Sequence, residues 1–195
     1  MLNDTSEEQL RANVYSLLAR LLAAAPDEDV LARLQQIDAE PDAEGMAGAW
    51  HMLKLAASNT TVAALDDEYH ALFIGVGRGE LVPFGSWYMT GFLMDRPLTY
   101  LRQDLAEFGI ARQDGVREPE DHAAALCETM ALVIGHPDEI EFARQQAFYK
   151  NHMQPWMRLF FEDLENAKAA TFYKAVARLG KEMMDFESQY LAIPA

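Results

Sequence analysis

Cysteine is nearly absent: Cys127 stands alone in 195 residues. That excludes an internal disulfide framework and any multi-thiolate zinc or iron–sulfur centre, and it fits a reducing, cytosolic compartment. Basic residues are also scarce, 16 Lys+Arg against 31 Asp+Glu, for a formal net charge of −15. No basic run offsets that excess, so the field repels a phosphate backbone and general nucleic-acid binding is disfavoured. Long apolar runs are missing too. The stretch around Leu21 to Ala25 is bounded by Arg20 and Pro26, far short of the roughly 20 residues that span a bilayer. The opening MLNDTSEEQLR is acidic, whereas a secretory signal starts basic and continues apolar. The expectation is a cytoplasmic protein with no stable membrane insertion.

What is present is a globular balance, 50% hydrophobic and 24% charged residues, which argues against intrinsic disorder. Residues 1–195 are read as a single domain, and burial of roughly 70% of the surface an unfolded chain exposes leaves ample core at this length. Most of the acid excess precedes residue 123. It points to a cationic partner, or serves solubility alone.

Helical periodicity runs through almost the whole chain. Thr5 or Ser6 with Glu8 or Gln9 matches a capping box. Leu10, Val14, Leu17, Leu18, Leu21 and Leu22 then recur on one face as far as Pro26. Asp27-Glu28-Asp29 opens a second helix, with acids at its positive end. A third carries Trp50 and Leu53, and a fourth starts at Thr60-Thr61 and continues through Leu65, Tyr69, Leu72 and Phe73. Five Gly or Pro residues between Gly75 and Gly85 make 75–86 a long loop. Helix resumes at Trp87, breaks at Pro97, and continues to a stop at Gly109; Asp114-Gly115 marks a turn. Glu118-Pro119 is read as the start of the next helix, with Pro at its first position, and helical stretches follow at about 137–150, 152–168 and 170–191. No alternating strand pattern or internal repeat occurs. The fold class is all-α, a bundle of nine or ten helices, with places to hinge at the Gly-rich loop and at 109–118.

Several chemistries fail for want of partners. Asp67-x-x-His70 approximates the Glu-x-x-His of a di-iron bundle, but no second copy exists. Glu118 and His122 share a helix face, yet two ligands make no metal site. Cys127 lies in an apolar helical stretch where a thiol is not activated. Ser86 lacks the Gly-x-Ser-x-Gly elbow and reads as the N-cap of the helix at Trp87. No catalytic residue is assigned. Gly75-Val-Gly77-Arg-Gly79 resembles a phosphate loop but lacks a Gly-Lys-Ser/Thr feeding a helix and follows a helix where a dinucleotide fold needs a strand; a GTP-binding or GTP-hydrolysing accessory protein using that loop is the alternative function. The remaining possibility is a peptide surface. Phe73, Phe84, Trp87, Tyr88 and Phe92 flank a Gly/Pro loop preceded by Asp66, Asp67 and Glu68. Rings beside carboxylates suit a peptide with an apolar stretch and a positive end, or the rings are core and the acids a solvated face.

Four segments bear on that choice: Glu68-Tyr69-His-Ala-Leu72-Phe73-Ile-Gly75, Val82-Pro83-Phe84-Gly-Ser86-Trp-Tyr88, Glu118-Pro119-Glu120-Asp121-His122, and His152-Met-Gln-Pro155-Trp156. Together the chain resembles the TorD/DmsD/NarJ-type redox-enzyme maturation chaperones, most closely the TorD/DmsD branch. The resemblance implies a non-enzymatic cytoplasmic chaperone. Such a protein binds the twin-arginine signal peptide of a molybdenum-cofactor oxidoreductase and holds the apo enzyme back from export while it matures. It also implies a monomer or a domain-swapped homodimer, no bound cofactor, and weak GTP binding in some members. The peptide-binding region carries over to Glu68, Phe84, Ser86, Trp87, Tyr88, Pro119, Asp121 and His122. Glu68 and Asp121 are placed to meet the arginines, since guanidinium pairs with carboxylate in a bidentate geometry. Two roles stay open for Asp121 and His122, contact with the peptide or locking of the helix start and neighbouring loop. The His152–Trp156 segment is read as structural.

Overall fold

A computed structural model describes residues 7–41, 44–112 and 118–192. Among the described residues ten α-helices and two π-helical turns make up the order, and the only β-pairing is an isolated antiparallel bridge between Phe84 and His122. The all-α reading is correct. The capping box at Thr5 or Ser6, the Asp114-Gly115 turn and the centre of the 109–118 hinge lie outside the described residues.

By its contacts the chain divides into two compact units, one formed by Met1–Ala23, Pro83–Met157 and Ile193–Ala195, the other by Ala24–Val82 and Arg158–Ala192. Among the described residues the chain passes between them at 23/24, 82/83 and 157/158, the second of these inside the Gly/Pro loop.

The first unit holds α1 (Glu7–Ala23), α5 (Gly85–Thr90), α6 (Arg96–Glu107), α7 (Ala123–Gly135) and α8 (Phe142–Phe148), the last continued by a π-turn over Tyr149–Met153. α1 lies along α7, the most extensive helix pair of the unit. α1 buries Tyr15, Leu18, Leu21 and Leu22, and α7 buries Leu126, Cys127, Met130 and Val133. This is the apolar face that three- and four-residue spacing marks out.

The second unit holds α2 (Glu28–Gln35), α3 (Gly45–Ser58), α4 (Val62–Tyr69) with a π-turn over His70–Ile74, α9 (Met157–Asn166) and α10 (Phe172–Tyr190). Asp27 caps α2 by accepting the Val30 N–H at 2.9 Å, and Thr61 caps α4 by accepting the Ala64 N–H at 3.3 Å. α3 packs on α2 and α10. Gly180, midway along α10, faces the Phe161 ring so closely that a Cβ there would collide with it.

Two helix starts differ from the expectation. Pro97 does not break a helix: it sits in the first turn of α6, whose N-cap Asp95 accepts the Arg96 N–H at 2.8 Å. A first-turn proline forfeits only an N–H that has no partner in the helix anyway. Glu118-Pro119 does not open α7 either, since that helix begins at Ala123. The physical reason lies across the bridge. Gly85 N–H donates to the Asp121 carbonyl at 2.9 Å and Ala123 N–H to the Pro83 carbonyl at 2.8 Å, which holds His122 extended and delays the helix to Ala123. Likewise Pro155 lies in the turn that precedes α9, not within the helix.

Candidate functional site

The bridge between Phe84 and His122 positions the site. Across it the two rings meet edge to face with centroids 4.9 Å apart. α5 starts directly after the bridge, and its Ser86 N–H donates to Asp121 Oδ2 at 2.7 Å, with both residues buried. A carboxylate at this position satisfies a backbone donor that a helix start otherwise leaves without a partner. Ser86 is therefore not the N-cap. Phe84 holds that position without a side-chain bond, and α5 begins one residue before Ser86. The Ser86 hydroxyl is used further along, accepting the Met94 N–H at 3.1 Å.

His122 is the N-cap of α7. Its Nδ1 accepts the Ala124 N–H at 3.1 Å, so the ring proton resides on Nε2. Burial pushes its pKa down to about 4, against the pull of Glu118 and Asp121 in the other direction. The imidazole is neutral at pH 7. Of the two roles left open for Asp121 and His122, locking is the one drawn by hydrogen bonds. Pro119 takes part through its carbonyl, which accepts the His122 N–H at 3.1 Å. Arg102 on α6 reaches the same turn, its Nε and Nη2 meeting Glu120 Oε2 at 3.0 and 2.8 Å. Burial works to raise the Glu120 carboxyl, yet the bond and charge of Arg102 hold it below the usual range.

Under α5 lies Trp156. Its Nε1–H donates to the His152 carbonyl at 2.8 Å, and the Tyr88 ring packs tilted against the indole, centroids 5.3 Å apart. Gly85 allows this approach: a Cβ there would stand 3.1 Å from the indole nitrogen. His152 is fixed in turn by Nε2–H donating to Asp104 Oδ2 at 2.6 Å. Three of the four motif segments, 83–88, 119–122 and 152–156, thus converge on one short helix. Of the sequence-derived site residues, Phe84, Ser86, Trp87, Tyr88, Pro119, Asp121 and His122 belong to this unit, and Phe84, Trp87 and Tyr88 are half-exposed.

Glu68 belongs to the other unit. Its carboxylate accepts the N–H groups of Thr171, Phe172 and Tyr173 at 2.7, 3.1 and 2.8 Å, capping α10 from a distance. Tyr69, Phe73 and Tyr173 pack as a ring cluster behind it. Three of the carboxylate's roughly four lone-pair positions are occupied. The spacing of residues could not reveal this, because the three donors are more than 100 positions away.

The glycine-dense loop is a chain reversal. Gly75 ends the π-turn at φ +61° and donates to the His70 carbonyl at 2.7 Å, while Glu80 and Leu81 N–H return to the carbonyls of Ala71 and Leu72 at 3.2 and 2.9 Å. These N–H groups are engaged by the chain's own carbonyls, and no helix follows the loop directly as it does in a phosphate-binding strand–loop–helix. The Glu80 carboxylate accepts the Lys168 and Ala169 N–H groups at 2.7 and 3.0 Å. Burial drives the Cys127 thiol pKa upward, away from thiolate. Among the described residues no group of three or more His, Cys, Asp or Glu is placed to hold a metal, and no helix is long and apolar enough to cross a membrane.

Fold and site together define an all-α protein that presents a short aromatic helix on a hydrogen-bonded turn. Its fold is shared with a solved redox enzyme maturation protein from Archaeoglobus fulgidus, at TM-score 0.61 and 16% identity over 95% of this chain and 99% of that one. The chain belongs to the nitrate reductase delta subunit family, whose model matches residues 39–162. Among its relatives are the chaperone protein TorD of Shewanella pealeana, 27% identical over 94% of this chain and 90% of that protein, and TorD of Vibrio parahaemolyticus, 26% identical over 71% and 69%. The resemblance drawn from the motifs is correct.

Proposed function

We propose that this chain is a redox-enzyme maturation chaperone that binds the twin-arginine signal peptide of a molybdenum-cofactor oxidoreductase in the cytoplasm. In this role it retains the apo enzyme until the cofactor is inserted, and it is not itself an enzyme. The observation that carries the reading is the convergence of segments 83–88, 119–122 and 152–156 on α5. Their polar groups hold the turn, and the half-exposed rings of Phe84, Trp87 and Tyr88 form the face offered to a partner. A receptor for an arginine pair followed by an apolar stretch needs an apolar face within an acidic field, and the net charge of −15 supplies the field. In this reading Asp121 and His122 act by positioning α5.

The test is calorimetric titration with a synthetic twin-arginine signal peptide. Micromolar or tighter binding that weakens with added salt is expected, because exposed charge pairs are screened within about 8–10 Å at ordinary ionic strength. Absence of heat, with no competition by any such peptide, would sink the reading. Undiminished binding to a client enzyme that lacks its signal peptide would replace it with plain helix-packing recognition.

A further inference from the structure

The face just described ends at Tyr88, but the exposed apolar surface does not. Met89, Phe92, Leu93, Met94 and Tyr100 are 42, 70, 50, 71 and 61% exposed. Five large apolar side chains in twelve residues exceed the scattered exposure normal for a monomer. They are not a loose loop. The Thr90 hydroxyl accepts the Phe92 N–H at 3.3 Å and the Ser86 hydroxyl accepts the Met94 N–H at 3.1 Å. Asp95 then caps α6 through the Arg96 N–H. Between these anchors Met94 sits at φ +58°, a left-handed conformation that is strained for a non-glycine residue. The chain holds an apolar side chain outward in a strained geometry where glycine would fit without strain. Beside the turn lies a cavity of about 490 Å³, lined among others by Met89, Arg96, Pro97, Tyr100, Asp104 and His152.

We propose that the 89–100 surface seats the apolar segment of the signal peptide, beyond the reach of Trp87 and Tyr88; this rests on the signal-peptide reading above. Three observations choose that occupant. The surface continues directly from α5, so a peptide lying on the aromatic helix runs onto it. Two of its five apolar side chains are methionines, which are flexible and polarisable and adapt to apolar sequences that share hydrophobicity but no fixed pattern. The surface itself carries no charge from Met89 to Met94, and the charges beside it, Arg96 with Asp95 and Asp104, are of both signs. Such a rim suits an uncharged stretch and gives the arginine pair no concentration of acid to seek there.

The experiment compares wild type, Phe92→Ser/Leu93→Ser and Met94→Gly in fluorescence anisotropy. Three synthetic peptides serve as probes: Arg-Arg followed by a Leu/Ala stretch, Arg-Arg followed by Ser/Gly, and Lys-Lys followed by Leu/Ala. Circular dichroism checks that each variant keeps its helices, and the altered side chains are exposed. The double variant is expected to lose about tenfold or more in affinity for the Leu/Ala peptides and to bind the Ser/Gly peptide as wild type does. A photoreactive leucine in the apolar stretch is expected to crosslink within 89–100. Equal affinity of wild type and variants for the Arg-Arg Leu/Ala peptide, or crosslinks elsewhere, overturns the assignment while the signal-peptide reading stands. Failure of wild type to bind any of the peptides overturns both. Loss of self-association in the double variant, with peptide affinity unchanged, assigns the surface to a second copy of the chain instead.

Discussion

Asp121 Oδ2 accepts the backbone N–H of Ser86 at 2.7 Å, across 35 positions of sequence. The two residues are fully enclosed, and Asp121 Oδ1 has no hydrogen-bond partner among the described residues. The bond joins α5 to the turn before α7, alongside the backbone pairing of Pro83–Gly85 with Asp121–Ala123. Asp121→Ala leaves the Ser86 donor buried without an acceptor, which costs about 1–3 kcal/mol. Asp121→Asn keeps an acceptor oxygen and loses less. Urea denaturation of the two variants tests the order, and equal stability of Asp121→Ala and wild type would contradict the lock.

His122 gives the fold an acid limit. Its pKa falls from an ordinary 6.5 to about 4 because its ring is buried. Between those values the unfolded chain holds a proton that the folded chain refuses. Stability is therefore complete above about pH 6.5 and declines as the pH falls toward 4. The full shift corresponds to something on the order of 3 kcal/mol. His122→Asn retains an oxygen able to cap Ala124 but does not titrate. The expected outcome is a shallower loss of stability between pH 6.5 and 4.5 than in wild type, read from denaturation midpoints at each pH.

The helical class was legible in the spacing of apolar residues, and so were the helix starts at Asp27 and Thr61, because the signals for a helix start lie in adjacent positions. The two misplaced helix starts show where that legibility ends. Pro119 carries a good first-position signal, yet α7 waits until Ala123 because a segment 38 residues earlier, 83–85, pairs with 121–123. The same limit applied at Ser86, whose N-cap chemistry is sound locally but is superseded by a carboxylate from residue 121. Glu68 is the reverse case. Its charge was visible, and the use of that charge was not, since its donors belong to the start of α10.

Glu68 and Glu80 both cap the approach to α10, one at Thr171–Tyr173 and the other at Lys168–Ala169. Glu68→Ala strands three N–H groups and removes a negative charge from a helix N-terminus, a combined loss of about 1–2 kcal/mol. Glu80→Ala loses less, because its carboxylate is exposed. The bonds from Lys168 and Ala169 hold the Glu80 carboxyl below its ordinary 4.5. Its contribution is present at neutral pH and disappears as the pH falls through that lowered value. Hydrogen exchange should accelerate at Thr171–Tyr173 in the first variant and at Lys168–Ala169 in the second. Unchanged protection at those amides would refute the capping roles.

Gly180 inverts the usual helix rule. Alanine in a helix interior ordinarily gains close to 1 kcal/mol over glycine. At Gly180 the space for a methyl group is filled by the Phe161 ring, and overpacking typically costs about 1–3 kcal/mol. Gly180→Ala is expected to lower stability, and pairing it with Phe161→Leu should restore part of the loss by making room. A stabilising Gly180→Ala would mean that α9 yields to the new methyl group.

Met94 separates stability from binding. Glycine adopts φ near +58° without steric penalty, so Met94→Gly relieves strain. The substitution also adds freedom to the unfolded chain, which offsets part of that gain. The side chain is 71% exposed, so little buried contact is lost. Met94→Gly is therefore expected to leave thermal stability unchanged or raise it by up to about 1 kcal/mol, while weakening a peptide whose apolar stretch lies on the turn. A residue placed there for packing would show the opposite pattern, with stability falling and affinity unchanged. Parallel thermal melts and anisotropy titrations of this one variant distinguish strain kept for recognition from strain kept by the fold.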